Sequence, residues 1–292
     1  MAWADHILAR RGRVSNYRPD YPKHRYLLTT TSGSEPAPIV FQQRDQPEGV
    51  PPLALTGERT LPDVPEENYW YRRHLIVYEW IAARVRGLRA IDMACGEGYG
   101  SDVLAHSAAS VVGVDANPEA HEHARLRYVR PNLRFERALI DGFSEQADAV
   151  VFLQTIEHIE DPGAVLDHFC SLIGSTGTVF VSTPNVLTLA PKGAPRSDNP
   201  WHVHEYRQHE FEQLCQAHFS YVELYGLFHA RKLRAHELAL RLGWDQVHAR
   251  LGLTSRFYDW FTPAIAASDF ELRAAGEANL DRALDFLAVC RP

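Results

Sequence analysis

The sequence predicts an α/β protein in which parallel strands alternate with helices around one doubly wound sheet. Short apolar runs that end on a polar residue are followed, several times in succession, by a segment with helical periodicity. The first two runs end at Asp92 and Asp115, and the fourth ends at Gln154. Strand, short loop and helix in repeated order require crossover connections between parallel strands. The 292 residues have room for one large domain, or for one domain with extensions.

The turn after the first strand carries three alternating glycines, at Gly96, Gly98 and Gly100. A helix begins directly after them, so the turn presents backbone N–H groups to a ligand at the edge of the sheet. Glycine suits such a turn because other side chains would block the ligand and would strain positions with positive φ. The alternative is a tight strand-to-helix turn that binds nothing.

Spacing and charge indicate which ligand this turn fits. A dinucleotide fingerprint has the spacing G-x-G-x-x-G, whereas this turn has G-x-G-x-G and follows Asp92. A carboxylate there repels a pyrophosphate but attracts the ammonium and sulfonium groups of S-adenosylmethionine. Asp115, 19 positions after Gly96, can accept hydrogen bonds from ribose hydroxyls in either ligand. The sequence therefore favours S-adenosylmethionine as the cofactor over a nicotinamide dinucleotide.

Four motifs extend this pattern along the chain. They are D-M-A-C-G-E-G-Y-G, V-V-G-V-D, A-V-V-F-L-Q-T-I-E-H-I-E-D-P and V-F-V-S-T-P-N, and they resemble the motif series of class I S-adenosylmethionine-dependent methyltransferases. Two further segments, L-T-G-E-R-T-L-P-D-V-P-E-E-N-Y-W-Y-R-R-H and the tail S-D-F-E-L…A-L-D-F-L-A-V-C-R-P, resemble a narrower actinobacterial group. That group is associated with the methylation of sugars, notably in 6-O-methylglucose lipopolysaccharide biosynthesis.

The resemblance implies one methyltransferase domain over residues 57–292, after an N-terminal extension over residues 1–56. It also implies a Rossmann-like, doubly wound sheet of seven strands with the last strand antiparallel, and a helical insertion over residues 228–278. Beyond the strands that end at Asp92 and Asp115, the hydrophobic pattern predicts strands at 133–139, 149–154, 178–182, 221–227 and 283–290. It predicts helices at 68–86, 99–107, 118–129, 162–173 and 209–217.

The expected cofactor contacts surround the ends of the first strands. We expect them from Tyr71, Arg73, Asp92, Ala94, Gly96, Glu97, Gly98, Asp115, Ala116, Ala138, Leu139, Gln154 and Glu157. The acid and loop of the first motif would hold the methionine half, and the acid of the second motif would bind the ribose. Residues 138–139 would flank the adenine, and Gln154 would lie beneath the sulfonium. Arg73 could meet the methionine carboxylate, although Tyr71 and Arg73 could instead be helix-cap and packing residues.

The catalytic candidates are three histidines. A sugar hydroxyl is a poor nucleophile at neutral pH, so a base or a metal is usual in an O-methyltransferase that acts on one. His158 is the first candidate base, with His202 and His204 next, whereas a structural His158 paired with Glu157 is the alternative. We expect no metal. In ubiquinone-type relatives the stretch E-x-x-E-H can bind a divalent cation, but Gln154 replaces the first acid here, and the H-x-H-E run after the fifth strand is too short for zinc alone.

Three segments exceed the minimal fold. Residues 1–28 carry six basic residues against two acids, and form either an arm that contacts a partner subunit or acidic substrate, or a surface-bound extension. Residues 29–67 hold seven of the 18 prolines and are typical of a connector. The insertion combines a basic run with the aromatic cluster Phe257, Tyr258, Trp260 and Phe261. We interpret it as a lid that recognises a sugar, with a packed helical pair or a dimer surface as the alternative.

Composition excludes several other classes of protein. The net charge of −7 argues against affinity for nucleic acids. Four cysteines without a C-x-x-C pair indicate a reducing, cytoplasmic environment. No apolar run approaches the length of a membrane span.

The function expected from these observations is transfer of a methyl group from S-adenosylmethionine to a sugar hydroxyl of a polysaccharide, glycolipid or other glycosylated acceptor. The enzyme could act as a homodimer. One alternative is a natural-product or small-molecule N- or O-methyltransferase. Another is a non-catalytic relative that binds or scaffolds. A nicotinamide-dependent dehydrogenase is disfavoured by the spacing of the glycine turn.

Overall fold

The computed structural model describes residues 40–41, 47–54, 59–191 and 193–292. Most of the expected N-terminal extension, with its basic arm, lies outside the described residues. The strands are β1 (Val40–Phe41), β2 (Leu53–Ala54), β3 (Arg89–Met93), β4 (Ser110–Asp115), β5 (Leu133–Arg137), β6 (Ala149–Leu153), β7 (Thr178–Pro184), β8 (Tyr221–His229), β9 (Phe270–Ala274) and β10 (Asp285–Arg291). The α-helices are α1 (Asn68–Ala82), α2 (Tyr99–Ala105), α3 (Pro118–Arg127), α4 (Pro162–Ile173), α5 (Val186–Leu189), α6 (Gln208–His218), α7 (Arg231–Arg241), α8 (Trp244–Arg250) and α9 (Thr254–Phe261).

Eight strands form one mixed sheet in the order β5-β4-β3-β6-β7-β10-β8-β9. The first five in this order are parallel, whereas β10 runs antiparallel to both β7 and β8, and β9 runs antiparallel to β8. Because β8 therefore points the same way as β7, the carboxyl ends of β3, β4, β6, β7 and β8 share one edge. The predicted Rossmann-like fold class, with an antiparallel last strand, is confirmed.

The sheet has one strand more than the seven expected. Phe270–Ala274 pairs with the end of β8 and places Phe270 opposite His229. In the sequence this stretch lies inside the insertion that we expected to be helical, and only the alternation of Phe270 and Leu272 indicates a strand. A five-residue edge strand is stabilised by its neighbour, a long-range contact that local propensity does not encode.

Helices cover both faces of the sheet and enclose two hydrophobic cores. Successive residues of β6 alternate between them: Val151 belongs to the core beneath α1 and α2, and Val150 and Phe152 belong to the core beneath α4 and α6. A strand buried on both faces needs apolar residues at every position, which explains its continuous apolar run. None of the helices in the described part of the chain is long and apolar enough to cross a membrane.

Capping residues fix the starts of two helices, and both helices begin at the predicted residues. Asn117 accepts hydrogen bonds from the backbone N–H groups of Glu119 and Ala120 and precedes a proline at the first helical position of α3. Asp161 accepts one from the N–H of Ala164, and α4 has the bounds predicted for it. By contrast, α1 ends four residues before its predicted end.

The insertion α7–α9 begins at the carboxyl end of β8 and packs on α1. Asn68 of α1 donates hydrogen bonds of 2.9 Å to the carbonyls of Thr262 and Ile265. Tyr258 and Phe261 are buried in the core, so these two residues of the aromatic cluster are packing residues. Trp260 is 70% exposed. A lid role for this segment stays a prediction.

Candidate cofactor and acceptor site

The carboxyl edge of the sheet gathers the polar loops that follow its central strands. β3 leads into the loop 94–98, and β4 ends at Asp115. β6 leads into Gln154 and the 3-10 turn Ile156–His158, and β7 is followed by the short helix α5 and then by the loop that ends at α6. Because these strands are neighbours, the loops meet at one place, where open α/β sheets bind their ligands.

The glycine turn combines tight packing on one side with open space on the other. Gly98 has φ of +97°, and a Cβ there would lie 2.8 Å from that of Ala124. Gly96 has φ of +57°, but a Cβ on it would meet no atom within 4 Å. Ala94 also lies in the left-handed region, with φ of +59°. The turn is therefore held against α3 while Gly96 borders space that a ligand can fill.

Asp115 closes the turn from the side of β4. Its two carboxylate oxygens accept 2.8 Å hydrogen bonds from the backbone N–H groups of Gly96 and Asn117. Each oxygen keeps a second acceptor site, because a carboxylate oxygen has two lone pairs. Asp115 can therefore bind ribose hydroxyls as expected without giving up the bonds that orient it.

Asp92 is enclosed by protein groups. Its side chain is fully buried and accepts hydrogen bonds from the Ser101 hydroxyl (2.6 Å) and the Tyr78 hydroxyl (3.1 Å). Burial raises the pKa of Asp92 to about 7, although both hydrogen bonds act in the opposite direction. Asp92 thus ties α1 and α2 to the end of β3, and its direct contact with a ligand stays a prediction.

Glu97 is also directed into the protein. Its buried carboxylate accepts hydrogen bonds from Tyr128 (2.8 and 2.9 Å) and the backbone N–H of Tyr99 (3.1 Å), and lies 3.1 Å from Nε2 of His123. The other nitrogen of His123 donates to the carbonyl of Pro51. Glu97 therefore connects the glycine turn to α3 and, through His123, to the backbone at Pro51. Nothing in the sequence pattern indicates these partners. Its contact with the cofactor stays a prediction.

The two candidates on α1 have protein partners as well. Arg73 is buried and forms a two-pronged ion pair with Asp285 at the start of β10, with Nε 2.7 Å from one carboxylate oxygen. It also donates to the carbonyl of Leu284. Tyr71 packs edge-on against Tyr99, with ring centroids 5.1 Å apart. Both side chains thus make direct contacts within the protein, which supports the alternative that they are packing residues. A contact of Arg73 with the methionine carboxylate stays a prediction.

Two further features lie at the carboxyl edge of the sheet, after β5 and β6. One is an exposed apolar side chain, and the other is a residue with a strained backbone conformation. Leu139 is 66% exposed, and Ala138 and Ala116 directly follow the ends of β5 and β4. Gln154 has φ of +52°, and its side-chain amide donates to the Ser182 hydroxyl at 3.1 Å. A non-glycine residue in the left-handed region is strained, and such strain is concentrated at functional sites.

These features fit S-adenosylmethionine. The space beside Gly96 admits the amino-acid chain, Asp115 offers acceptor sites for a ribose, and exposed Leu139 offers an apolar surface for an adenine ring. The contacts expected from these residues with the ribose and the adenine stay predictions. For the methionine half, the side chains of Asp92, Glu97 and Arg73 are occupied by protein partners.

A second group of polar side chains lies beside Gln154. Donor atoms of Glu157, His158 and His202 lie within 4.8 Å of one another. The cluster forms because the backbone carbonyl of Glu157 accepts hydrogen bonds from the N–H groups of Val203 (2.8 Å) and His204 (3.1 Å), which dock the loop after β7 on the turn after β6. We call these three residues the EHH cluster.

Hydrogen bonds fix both imidazole rings of the EHH cluster. Nδ1–H of His158 donates to the carbonyl of Trp201 at 3.0 Å, and Nδ1–H of His202 donates to the carboxylate of Glu205 at 2.7 Å. Nε2 of His202 accepts from the Asn199 side-chain amide at 2.9 Å. With Nδ1–H as the donor in each ring, Nε2 is the nitrogen that can offer a lone pair. Burial lowers the pKa of His158, with His202 adding to the effect, so that His158 is neutral at pH 7.

The acid of the cluster is buried in a setting that disfavours its charge. Glu157 is 2% exposed and accepts a hydrogen bond from the Thr183 hydroxyl at 3.1 Å. Burial raises the pKa of Glu157 to about 8, and the carboxylates of Asp285 and Glu205 add to the increase. The alternative from the sequence was that His158 pairs with Glu157 alone and has only a structural role. In the structure His202 lies next to both of these residues as well.

His204, the third predicted base, lies outside the EHH cluster. Its ring is exposed and packs on Tyr206, with centroids 4.4 Å apart. Sequence reasoning missed Asn199 and Trp201 and considered Glu205 only as part of a short zinc run. In the structure these three residues orient the two clustered histidines. The polar and aromatic run N-P-W-H-V-H-E was the available signal. We expected no metal because Glu157 and His158 were considered separately from His202. The structure brings the three residues together, so this reason is wrong.

Comparison with known proteins identifies relatives of the whole domain. A family model described as a methyltransferase domain matches residues 69–236. The chain is 35% identical over 248 residues to a probable S-adenosylmethionine-dependent methyltransferase of Mycolicibacterium smegmatis, covering 81% of this chain and 94% of that protein. It is 33% identical over 280 residues to a protein of the same description from Mycobacterium tuberculosis, covering 93% and 97%. A ubiquinone biosynthesis O-methyltransferase of Xylella fastidiosa is 34% identical over 115 residues, which is 37% of this chain and 47% of that protein.

Among solved structures, the fold is similar to that of an S-adenosylmethionine-dependent methyltransferase from Thermotoga maritima, described as a possible histamine N-methyltransferase. The TM-score is 0.52 and the sequence identity is 13%, over 77% of this chain and 94% of that one. At this identity the likeness shows the fold alone.

Proposed function

Because the chain belongs to the S-adenosylmethionine-dependent methyltransferases, we propose that it is an O-methyltransferase whose acceptor is a sugar hydroxyl in a polysaccharide, a glycolipid or another glycosylated molecule. S-adenosylmethionine supplies an electrophilic methyl group and leaves as S-adenosylhomocysteine. The residues of the chain must hold the acceptor in line with that group and take up the proton of its hydroxyl.

The observation that carries this proposal is the EHH cluster beside Gln154. It places acid–base groups at the edge where the cofactor is expected, on the side of β6 and β7. His158 is neutral at pH 7, and its Nδ1–H is engaged by the Trp201 carbonyl, so Nε2 is the atom that accepts a proton. A hydroxyl needs such a group, whereas an unprotonated amine acceptor is already nucleophilic.

An exposed aromatic side chain next to the cluster supports a sugar as the acceptor. Trp201 is 42% exposed, and its backbone carbonyl holds His158. The apolar face of an indole ring suits the C–H face of a pyranose, which leaves the hydroxyls of the sugar free to bond at its edge. The resemblance of residues 55–74 and 268–292 to a sugar-methylating group points to the same class of acceptor.

Incubation with labelled S-adenosylmethionine and a panel of acceptors tests the proposal. The panel contains oligosaccharides, glycolipids, phenols and amines. We expect alkali-stable label in a saccharide, as a methyl ether, and no label when a deoxy sugar lacks the accepting hydroxyl. Trp201→Ala should raise KM for that saccharide with little change in kcat. Label confined to phenols or amines would contradict a sugar acceptor.

A further inference from the structure

We propose that Glu157, His158 and His202 bind a divalent transition-metal ion that leaves coordination positions open for the acceptor hydroxyl. Metal binding itself is independent of the methyltransferase reaction, whereas the role of the metal in activating a hydroxyl rests on the proposed function. The site combines two segments of the chain, the turn after β6 and the loop after β7, that are 44 residues apart between His158 and His202.

The separation of the donor atoms suits a single ion. Zinc–nitrogen and zinc–oxygen bonds are about 2.1 Å long, so two ligands of one ion lie at most about 4.2 Å apart. The three donor atoms lie within 4.8 Å of one another. Small side-chain movements, about 0.6 Å in total, bring the widest separation below the maximum of about 4.2 Å. The backbone hydrogen bonds from Val203 and His204 to the Glu157 carbonyl hold the two segments together without using the donor atoms.

Both histidines have the supporting bonds that are typical of metal ligands. A metal-bound histidine nearly always donates its other ring N–H to a carboxylate or a backbone carbonyl, which fixes the tautomer and the ring orientation. Here the Nδ1–H of His202 donates to Glu205, and that of His158 donates to the Trp201 carbonyl. Asn199 donates to Nε2 of His202, which shows that this nitrogen has a lone pair to offer. Metal binding would replace that single neutral hydrogen bond.

The charge balance around Glu157 favours a cation. Its buried carboxylate has a hydroxyl partner, Thr183, and within the described ranges no Lys or Arg forms an ion pair with it. The nearby acid Asp285 is already paired with Arg73. Buried carboxylates in proteins are paired with cations or bind metals, because an isolated one is poorly solvated.

The donor set indicates the kind of ion. Mg²⁺ and Ca²⁺ prefer oxygen ligands, whereas one carboxylate with two imidazoles suits Zn²⁺, Mn²⁺, Fe²⁺ or Co²⁺. Three protein ligands leave at least one position open, as in catalytic zinc sites. A hydroxyl bound there has a lowered pKa, and the proton that it loses passes to water. In this arrangement His158 is a ligand, and the metal takes over the activation of the acceptor.

Metal uptake by the untagged, chelator-treated full-length protein tests the site. Equilibrium dialysis against Zn²⁺ or Mn²⁺, read by mass spectrometry of the metal, should give one ion per chain, with no stoichiometric uptake of Mg²⁺ under the same conditions. His202→Ala and Glu157→Gln should abolish uptake, and Glu205→Gln should weaken it about 10–100-fold. His209→Ala, which removes an exposed histidine of α6, should bind as the wild type does.

Absence of stoichiometric uptake, or uptake that His202→Ala leaves unchanged, would overturn the proposed site. Circular dichroism of each variant establishes that it is folded, and Glu205→Gln provides the graded loss that a misfolded variant would not. The same samples distinguish this proposal from the proposed function. Stoichiometric uptake together with failure to methylate any saccharide would refute the sugar acceptor but not the metal site.

Discussion

The pH dependence of folding should change when Asp92 is replaced by Asn. In the folded protein Asp92 is fully buried, and burial raises its pKa to about 7 from the usual value of 3.8. Below pH 3.8 the carboxyl is protonated in both states and has no effect on the pH dependence of folding. As pH rises from 3.8 to about 7, the unfolded chain releases this proton while the folded protein retains it, so the folded state loses stability.

The size of this effect follows from the two pKa values. At about 1.4 kcal/mol per unit of pKa, the difference between 3.8 and about 7 corresponds to about 4 kcal/mol of unfolding free energy, all of it lost above pH 7. An asparagine keeps the shape of Asp92 and can still bond to the hydroxyls of Ser101 and Tyr78, because a hydroxyl donates as well as accepts. The variant lacks the charge that burial penalises.

Urea unfolding of wild type and Asp92→Asn at pH 5, 6, 7 and 8 measures this difference. We expect the variant to gain stability relative to the wild type as pH rises, by about 3 kcal/mol between pH 5 and pH 8, most of it below pH 7. Asp281→Asn, which changes an exposed carboxylate, should follow the wild-type curve. Parallel curves for wild type and Asp92→Asn would refute the reasoning, since they would mean that Asp92 is not held in its neutral form by burial.

Three further changes test other parts of the structure. Asp285→Ala leaves the buried guanidinium of Arg73 without its carboxylate partner and should cost about 3–5 kcal/mol of unfolding free energy, measured by urea denaturation. A loss below about 1 kcal/mol would mean that the ion pair is exposed to solvent. Gly98→Ala places a Cβ 2.8 Å from the Cβ of Ala124 at a residue with φ of +97°. It should lower the unfolding free energy by about 1–3 kcal/mol and weaken S-adenosylmethionine binding. An unchanged melting temperature and affinity would contradict this packing. His158→Ala should lower the rate of methyl transfer about 10²–10⁴-fold with cofactor affinity unchanged by calorimetry, and a rate within a few-fold of wild type would exclude His158 from the reaction.

The sequence predicts those features that depend on local chemistry. The glycine turn, the acid at the end of β4 and the starts of α3 and α4 could be identified because turn geometry and helix starts are set by neighbouring residues. The parallel sheet followed from the repeated alternation of strand and helix. The strand β9 could not be identified, because five residues within a helical segment become a strand only through pairing with β8.

Long-range pairing accounts for the remaining differences at the site. Arg73 and Asp285 are 212 positions apart, and nothing in either local sequence indicates that they pair. Glu97 is bound by His123 on α3 and by Tyr128 directly after it, which are 26 and 31 positions away in the chain. The EHH cluster depends on docking of the loop after β7 onto the Glu157 carbonyl, so its members looked like two unrelated short motifs in the sequence.

Isothermal titration of S-adenosylmethionine into the wild type, Asp115→Ala and Asp281→Ala tests most directly whether the edge of the sheet around Gly96 and Asp115 holds the methyl donor. We expect one site per chain in the wild type and unchanged affinity in Asp281→Ala. Asp115→Ala should give no measurable heat, because it removes both the carboxylate that would bind the ribose and the hydrogen bond from the Gly96 N–H that orients the glycine turn. Equal binding to the wild type and Asp115→Ala, or binding of a nicotinamide dinucleotide in place of S-adenosylmethionine, would contradict this account.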